Sequence, residues 1–270
     1  MPVNTDSTLI ISHQLLQIST ETKNESLKAY ALYMEAVGYQ LKTNYALSIE
    51  TYLKALPIFE KEKDAKGISW VYNDLGMICI DQAKYKEALD YSLKSLKYKK
   101  ITGDKFDIEI TIGNIAQIYY KQKLYKEAIN QNIEVVQYLE SQKHGDQYSN
   151  VVNNMGWYYL GLNQVDSAEA YFKKGINISQ KIGNNYVGSQ IMEGFAECYL
   201  IEKKYKLAEI YATQAWKMAS DLKNVENQRD ISNTFSKIYE ASSDFKNALK
   251  YQKLFKTFSD SMINLSLIHI

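Results

Sequence analysis

Asparagines recur at a fixed spacing in this chain, and their side chains are well suited to recognising another polypeptide. Asn73, Asn153 and Asn233 are evenly spaced, although asparagine is unfavourable in the helical pattern that surrounds them. A carboxamide carries both a donor and an acceptor, which match the N–H and C=O groups of an extended peptide backbone. Trp70 and Trp157 would add flat apolar anchors of the kind that dominate binding energy at interfaces. The same amides could instead cap turns or bond to a neighbouring helix, so both interpretations stay open.

Catalytic and metal-binding patterns are missing from the sequence. The three histidines, at positions 13, 144 and 269, lie far apart. There is no GxSxG motif, no glycine-rich phosphate loop and no spacing typical of metal ligands. Cys79 and Cys198 each fall inside an apolar helical pattern, so both are expected to be buried rather than to form a disulfide or metal pair. We therefore expect a protein that is not an enzyme and uses no metal or cofactor.

Composition favours a soluble, helical protein. The chain has 270 residues, 46% of them hydrophobic and 23% charged, with only 2 prolines and 12 glycines. Its formal net charge of +1 favours binding to neither nucleic acid nor an anionic membrane. No secretory signal or membrane-spanning segment can be identified. The expected partner is a protein or peptide, without direct contact to nucleic acid or membrane, and a cytoplasmic location is favoured for the chain as given.

The apolar pattern repeats six times at a constant interval without an insertion. In the second copy, Leu75, Gly76 and Cys79 fall on one helical face, and the small Gly76 would let a following helix approach closely at Ala88. Each copy is therefore expected to form a helical hairpin that buries its apolar side against its neighbours. The six pairs of small residues are Ala36 and Ser48, Gly76 and Ala88, Ala116 and Ala128, Gly156 and Ala168, Ala196 and Ala208, and Ser236 and Ala248.

Short polar segments separate the copies. Each contains a residue whose side chain can cap the start of the following helix, and these residues recur at the same interval as the small ones. They are Asp64, Asp104, His144, Asn184 and Asn224.

This spacing resembles the tetratricopeptide repeat. Residues 72–79, followed by Ala88, and residues 152–159, followed by Ala168, are similar to its pattern W-x2-L-G-x2-Y with a later small residue. The resemblance covers residues 29–260. It departs in its period, which is about 40 rather than about 34 residues, and in the missing proline after the second helix. HEAT and armadillo repeats have a similar period of about 40 residues but lack this small-residue spacing.

The resemblance implies an all-α fold, a right-handed superhelical solenoid of stacked antiparallel helix hairpins. Residues 1–28 would form a capping half-repeat, residues 29–260 six repeats, and residues 261–270 a C-terminal tail through which copies could self-associate. The six repeats would span residues 29–66, 67–106, 107–146, 147–186, 187–226 and 227–260.

In tetratricopeptide arrays the first helix of each hairpin lines the concave side, so the resemblance implies a groove that binds an extended peptide. The middle of this groove would be neutral and aromatic. Its C-terminal part would be acidic and would match a ligand that carries lysine or arginine, with a solvated acidic face as the alternative. The predicted groove residues are Trp70, Asn73, Met77, Asn114, Gln117, Asn150, Asn153, Asn154, Trp157, Glu193, Glu197, Asn233 and Lys237.

Two functions follow from the resemblance. Residues 52–76 and 253–264 are similar to segments of the long-repeat regions that precede the kinase or DNA-binding part of bacterial signalling proteins. This implies a sensory or regulatory segment that binds a peptide or protein. A free-standing scaffold for multiprotein assembly is the alternative. Peptide-regulated phosphatases and activators of Gram-positive bacteria also use long repeats, but they need an N-terminal bundle or helix-turn-helix that residues 1–28 are too short to supply.

Overall fold

Two compact helical units make up the protein. A computed structural model describes the backbone of residues 5–143 and 145–267 and the side chains of residues 7–143 and 145–261. Unit 1 comprises Met1–Gln122 with Ser266–Ile270, and unit 2 comprises Lys123–Leu265. The described residues form thirteen α-helices and no β-strand.

The helices follow one another at a regular interval. Unit 1 contains α1 (Thr5–Thr22), α2 (Glu25–Leu41), α3 (Tyr45–Lys61), α4 (Ala65–Asp81), α5 (Tyr85–Thr102) and α6 (Lys105–Lys121). Unit 2 contains α7 (Tyr125–Gln142), α8 (Gly145–Gly161), α9 (Val165–Ile182), α10 (Asn185–Ile201), α11 (Tyr205–Asp221), α12 (Val225–Ala241) and α13 (Phe245–Leu267). We call the even-numbered helices first helices and the odd-numbered ones second helices.

Within each unit, consecutive helices pack on each other. The hairpins α2–α3 and α4–α5 in unit 1, and α8–α9 and α10–α11 in unit 2, have extensive contacts. First helices also pack directly on first helices, α2 on α4 in unit 1 and α8 on α10 and α10 on α12 in unit 2. The predicted fold class, an all-α array of stacked helix hairpins, is confirmed.

The recurring small residues allow the two helices of a hairpin to touch through their backbones. The Ser48 hydroxyl donates to the Ala36 carbonyl oxygen at 2.9 Å across α2–α3. The Ser236 hydroxyl donates to the Ala248 carbonyl oxygen at 3.1 Å, between α12 and α13. In α4, a Cβ added to Gly76 would lie 3.2 Å from Ser92 Oγ. This is the close approach that the sequence predicts.

The many tyrosines occupy a repeated position beside this contact. In unit 2, Tyr159 pairs with Tyr171 at a ring-centroid distance of 5.3 Å. Equivalent pairs join the two helices of each of the next two hairpins. They are Tyr199 with Tyr211 at 5.1 Å and Tyr239 with Tyr251 at 5.6 Å. The repeated pairing accounts for part of the 23 tyrosines in the chain.

A residue in the left-handed region follows each of the helices α1 to α12. The backbone therefore repeats at half the period of the side-chain pattern, because each helix and its turn together have the same length. The residues with positive φ are Lys23, Thr43, Lys63, Ala83, Gly103, Lys123, Lys143, Asn163, Gly183, Lys203, Lys223 and Ser243. Only two of the twelve are glycine, so most of these turns carry the strain of an L-residue in the left-handed region.

The predicted helix caps lie at the next residue of these turns. The side chains of Asp64, Asp104, Asn184 and Asn224 each accept a hydrogen bond from a backbone N–H in the first turn of a first helix, which confirms this prediction. His144 lies outside the described residues. The self-association proposed for the C-terminal tail depends largely on side chains beyond Ser261, which also lie outside them, although α13 continues to Leu267.

Candidate functional site

The predicted groove residues occupy four positions of the first helices, which we call the first-helix face. In α4 the face consists of Trp70, Asn73, Asp74 and Met77, and the other first helices contribute the residues at the equivalent positions of their repeats. Each of the two compact units has such a face.

In unit 1 the face is organised around one carboxylate. Asp74 Oδ2 accepts a hydrogen bond from the Tyr33 hydroxyl at 2.8 Å, and Asp74 Oδ1 accepts one from the Asn73 amide at 3.0 Å. The Tyr52 hydroxyl lies 3.1 Å from Asp74 Oδ2 and 2.8 Å from Gln40 Oε1. Burial, and then the charge of Asp74, raise the pKa of both tyrosines above its ordinary value of 10. The amide of Asn73 is thus already engaged by its neighbour in the chain.

Trp70 packs on the preceding first helix rather than standing free. Its ring lies 5.5 Å from that of Tyr33 and 6.1 Å from that of Tyr30, both on α2, and Lys66 Nζ lies 5.1 Å from its centroid. Tyr30 also donates to Asp64 Oδ2 at 2.5 Å. Burial and this aspartate raise the pKa of Tyr30 to about 12. Trp70 therefore contributes to the joint between α2 and α4.

The remaining residues of the unit 1 face are more open. Met77 on α4 keeps 39% of its surface exposed, and Gln117 on α6 is exposed. Asn114 on α6 is half-buried, and its side chain forms no hydrogen bond with any other described residue. These three side chains are accessible to a ligand of unit 1.

In unit 2 a chain of carboxamides joins three first helices. The Asn153 amide on α8 donates to Gln190 Oε1 on α10 at 3.1 Å, and the Gln190 amide donates to Asn227 Oδ1 on α12 at 3.4 Å. The Asn227 amide ends the chain on Ser189 Oγ at 2.5 Å. Asn153 is only 3% exposed, and its Oδ1 is buried without a hydrogen-bond partner among the described residues. Asn153 therefore links helices, as one of the two interpretations of the sequence allowed.

The predicted acidic end of the groove is largely satisfied by its own residues. Glu193 on α10 is only 7% exposed, and its Oε1 lies 3.0 Å from Thr234 Oγ1 on α12. Glu197 pairs with Lys237 at 2.8 Å, and Asp230 pairs with Arg229 at 2.7 Å. Burial covers Glu193 and cations pair with Glu197 and Asp230, whereas Glu240, the fourth acid of this end, is exposed. Recognition of a basic ligand here stays a prediction.

A different set of residues remains open in unit 2. Asn150 on α8 is exposed, but its amide donates to the Asp146 carbonyl oxygen of its own helix at 2.9 Å. Asn154 and Asn233 are half-buried, and the side chain of neither forms a hydrogen bond with another residue in the described ranges. Trp157 is half-buried with its ring 5.8 Å from that of Phe172. We call Asn154, Trp157, Asn233 and the exposed Lys237 the open residues of unit 2.

Three residues that help to hold the face together were not among the predicted groove residues. Asp74 and Thr234 share one position of the repeat with Asn114 and Asn154, and Gln190 shares the position of Trp70. The repeat itself could have identified them. What it could not show is which member of each position bonds to a neighbouring helix and which stays free.

Chemistry other than binding has little support among the described residues. Residues 7–143 and 145–261 contain no group of three histidine, cysteine or acidic side chains that could hold a metal ion. Cys79 and Cys198 are buried free thiols, and burial raises the pKa of both. None of the described helices is long and apolar enough to cross a membrane.

The fold and the face together define a repeat module of the protein-binding class, in which hairpins present their first helices on one surface. The family model of the tetratricopeptide repeat matches residues 27–100 and 107–181. The chain therefore belongs to the tetratricopeptide repeat family, which confirms the resemblance of its sequence.

Similarity to individual proteins is more distant. A segment of 98 residues is 33% identical to the uncharacterized protein ycf37 of Cyanophora paradoxa; it covers 36% of this chain and 52% of that protein, so the match spans about half of the relative's length. The apo form of RapI matches with a TM-score of 0.81 at 18% identity, over 97% of this chain and 94% of that one. A Rap protein complexed with competence and sporulation factor matches with a TM-score of 0.72 at 14% identity, over 97% and 72%. At these identities the structures show a shared fold.

Proposed function

We propose that this chain is a non-catalytic module that binds an extended peptide or an extended segment of a protein partner. The binding site is formed by the open residues of unit 2. The observation that carries this proposal is the division of the asparagines into two classes. Asn153 is committed to the joint between α8 and α10, whereas Asn154 and Asn233 have unused donors and acceptors at half-buried positions.

The two classes serve one binding event. The carboxamide chain of Asn153, Gln190 and Asn227 holds α8, α10 and α12 together, so little order has to be gained when a ligand binds. The free amides of Asn154 and Asn233 can then pair with the N–H and C=O groups of a peptide backbone. Trp157 adds an apolar surface to this site. Such a site recognises an extended backbone rather than one particular side chain.

A regulatory role is the finer part of the proposal. One structural neighbour is a Rap protein complexed with competence and sporulation factor, and the sequence resembles the repeat regions of bacterial sensor kinases and regulators. We infer that this chain is the sensory or regulatory segment of a bacterial signalling protein, in which a bound peptide alters the packing of the first helices.

A scaffold function is the second candidate, and one observation favours it. Leu53 on α3 and Leu93 on α5 are 50% and 48% exposed and occupy equivalent positions on second helices of unit 1. Exposed leucines at equivalent positions of neighbouring hairpins form an apolar surface distinct from the first-helix face. A second partner bound there would make the chain a scaffold for two proteins.

The test separates the two classes of asparagine. A library of displayed random peptides is selected on the wild-type chain, and the enriched peptides are measured by titration against variants. We expect the Asn154→Ala/Asn233→Ala variant to lose about tenfold or more in affinity, since each lost hydrogen bond to a bound backbone contributes about 1 kcal/mol. The matched control is Asn130→Ala/Asn177→Ala, which removes two exposed asparagines from the second helices α7 and α9 of the same unit.

The affinities and the unfolding free energies of the two double variants together decide the outcome. Both double variants should unfold within about 0.5 kcal/mol of the wild type, because exposed or uncommitted side chains contribute little to folding. Equal affinity of both variants would remove the site from the first-helix face. Loss of affinity only on substitution of Leu53 and Leu93 would favour the scaffold.

A further inference from the structure

The carboxyl group of Glu193 shares one hydroxyl group, that of Thr234, with the carboxyl group of Glu197. Its Oε1 lies 3.0 Å from Thr234 Oγ1, which also lies 2.9 Å from Glu197 Oε1 and 3.4 Å from the Asp230 carbonyl oxygen. The threonine hydroxyl has one proton and can donate it once. Both short contacts to the carboxyl groups are satisfied at once when one of the two groups carries a proton and donates it to Thr234 Oγ1.

The position of Lys237 indicates which of the two carboxyl groups carries the proton. Lys237 Nζ lies 2.8 Å from Glu197 Oε1, so the cation of this cluster is bonded to Glu197. Glu193 is only 7% exposed, so charging it would place an anion in a poorly solvated site. Burial first, and then the charge of Asp230, raise the pKa of Glu193 well above its ordinary value of 4.5, and they outweigh the opposite effects of Thr234 and Lys237.

The charged groups that act on Glu193 come from two helices. They are Asp230 and Lys237 of α12 and Glu197 of α10 itself. The other helices packed on α10 contribute Asn153 from α8, which bonds to Gln190, and titratable groups that act further along α10. Glu169 of α9 acts on Cys198 and Tyr199, and Tyr211 of α11 packs on Phe195 at a ring-centroid distance of 5.3 Å.

We propose that Glu193 is a neutral acid whose single proton holds α12 against α10, and that loss of this proton with rising pH loosens the two helices. The consequence for binding rests on the proposed function, because Asn233 and Lys237 of α12 are open residues of unit 2. The ligand site is then pH-regulated and is assembled in the protonated state. Thr234 relays the link, since it donates to Glu197 while it accepts from Glu193.

The direction of the effect follows from the raised pKa of Glu193. We call the state in which α12 is packed on α10 closed and the state in which it is not packed open. An acid that holds its proton more tightly in the closed state stabilises that state fully below its ordinary pKa, which is 4.5 for Glu193. This stabilisation is lost as the pH rises through the pKa of the closed state. Between these two limits the opening constant of α12 increases up to about tenfold per pH unit.

The experiment measures amide hydrogen exchange in α12 of the ligand-free chain, from about pH 5 to about pH 8, corrected for the intrinsic exchange rate. In the wild type we expect the opening constant to rise with pH by up to about tenfold per unit. In Glu193→Gln it should stay at the low value throughout, because the glutamine amide replaces the carboxyl proton as the donor to Thr234. The control is Glu202→Gln, an acid at the C-terminal end of α10 that pairs with Lys204 at 2.9 Å and should leave the wild-type profile unchanged.

Two outcomes would overturn the proposal. One is a wild-type opening constant that is independent of pH, and the other is a Glu193→Gln profile that follows the wild type. If Glu193→Gln does not fold, carbon-13 labelling of glutamate in the wild type answers the same question, since the carboxyl resonance of Glu193 must titrate at a higher pH than those of the exposed glutamates. These measurements need no ligand, so they can fail or succeed independently of the peptide-binding proposal.

Discussion

The two units join their first helices through different side chains, although their hairpins are built alike. In unit 1, Tyr33 donates to Asp74, Tyr52 lies within hydrogen-bond distance of it, and Trp70 packs across the joint. In unit 2, the equivalent joints consist of a carboxamide chain beginning at Asn153 and an acidic cluster centred on Glu193. Tyrosine donors keep their protons far above neutral pH, whereas the carboxyl proton of an acid can be lost within a few pH units. The donors of the unit 1 joint therefore keep their protons through the neutral range, whereas we expect the joint in unit 2 to be regulated by pH.

The difference also decides which amides are available. Asn73 of unit 1 is engaged by Asp74, while the side chain of Asn114 in unit 1 and those of Asn154 and Asn233 in unit 2 form no hydrogen bond with a described residue. Half-buried amides without partners are available to a ligand. Of the predicted groove asparagines, two such amides lie in unit 2 and one lies in unit 1.

The largest expected effect concerns the core of a hairpin, which is built in the same way in each unit. Gly156→Leu in α8 would push a side chain into the ring of Phe172, because even a Cβ at this position overlaps that ring. We expect a loss of about 3 kcal/mol in the free energy of unfolding, since overpacking displaces a buried contact. Urea denaturation followed by circular dichroism measures this loss.

Gly76→Ala is the matched control in unit 1. A Cβ there would lie 3.2 Å from Ser92 Oγ, and three other hairpins carry alanine at this position, namely Ala36, Ala116 and Ala196. The change should therefore stay within about 1 kcal/mol of the wild type. A Gly156→Leu variant as stable as the wild type would show that α8 and α9 do not approach closely.

The second prediction compares the joints directly. Asp74→Ala in unit 1 leaves the Tyr33 hydroxyl without its acceptor at a largely covered position, and we expect a cost of about 2 to 3 kcal/mol. Asn153→Ala in unit 2 removes one neutral hydrogen bond to Gln190 together with a buried oxygen that lacks a partner among the described residues, so it should cost about 1 kcal/mol or less. Denaturant titrations of both variants measure the difference, and equal losses would mean that the two joints contribute alike.

The smallest expected effect lies in the turns, which are the same in both units. Ala83 has φ of 55°, so Ala83→Gly should relieve the strain of a left-handed L-residue and stabilise the chain by about 0.5 kcal/mol. Gly183→Ala, the reverse change in unit 2, meets no atom within 4 Å but introduces the same strain at φ of 72°. We expect it to destabilise by about 1 kcal/mol. Opposite signs in thermal unfolding would show that the left-handed position favours glycine both in a turn within a hairpin, at Ala83, and in a turn between hairpins, at Gly183.

The sequence alone determined the helical hairpins, their constant period, the contacts at small residues and the caps at Asp64, Asp104, Asn184 and Asn224. These are local or strictly periodic features, since a helical face, a cap and a close contact each depend on residues a few positions apart. The same periodicity selected the positions of the first-helix face.

Only the tertiary structure decided what each residue of that face does. Asn153 and Asn154 are neighbours in the chain, yet the first is buried in a joint and the second remains unpaired among the described residues, because a helix turns adjacent residues in directions about 100° apart. Glu193 differs from Glu197 for the same kind of reason, since α12 covers one carboxyl group and brings Lys237 to the other. Such roles depend on residues a whole repeat away on a neighbouring helix, and a single sequence does not specify which of them meet.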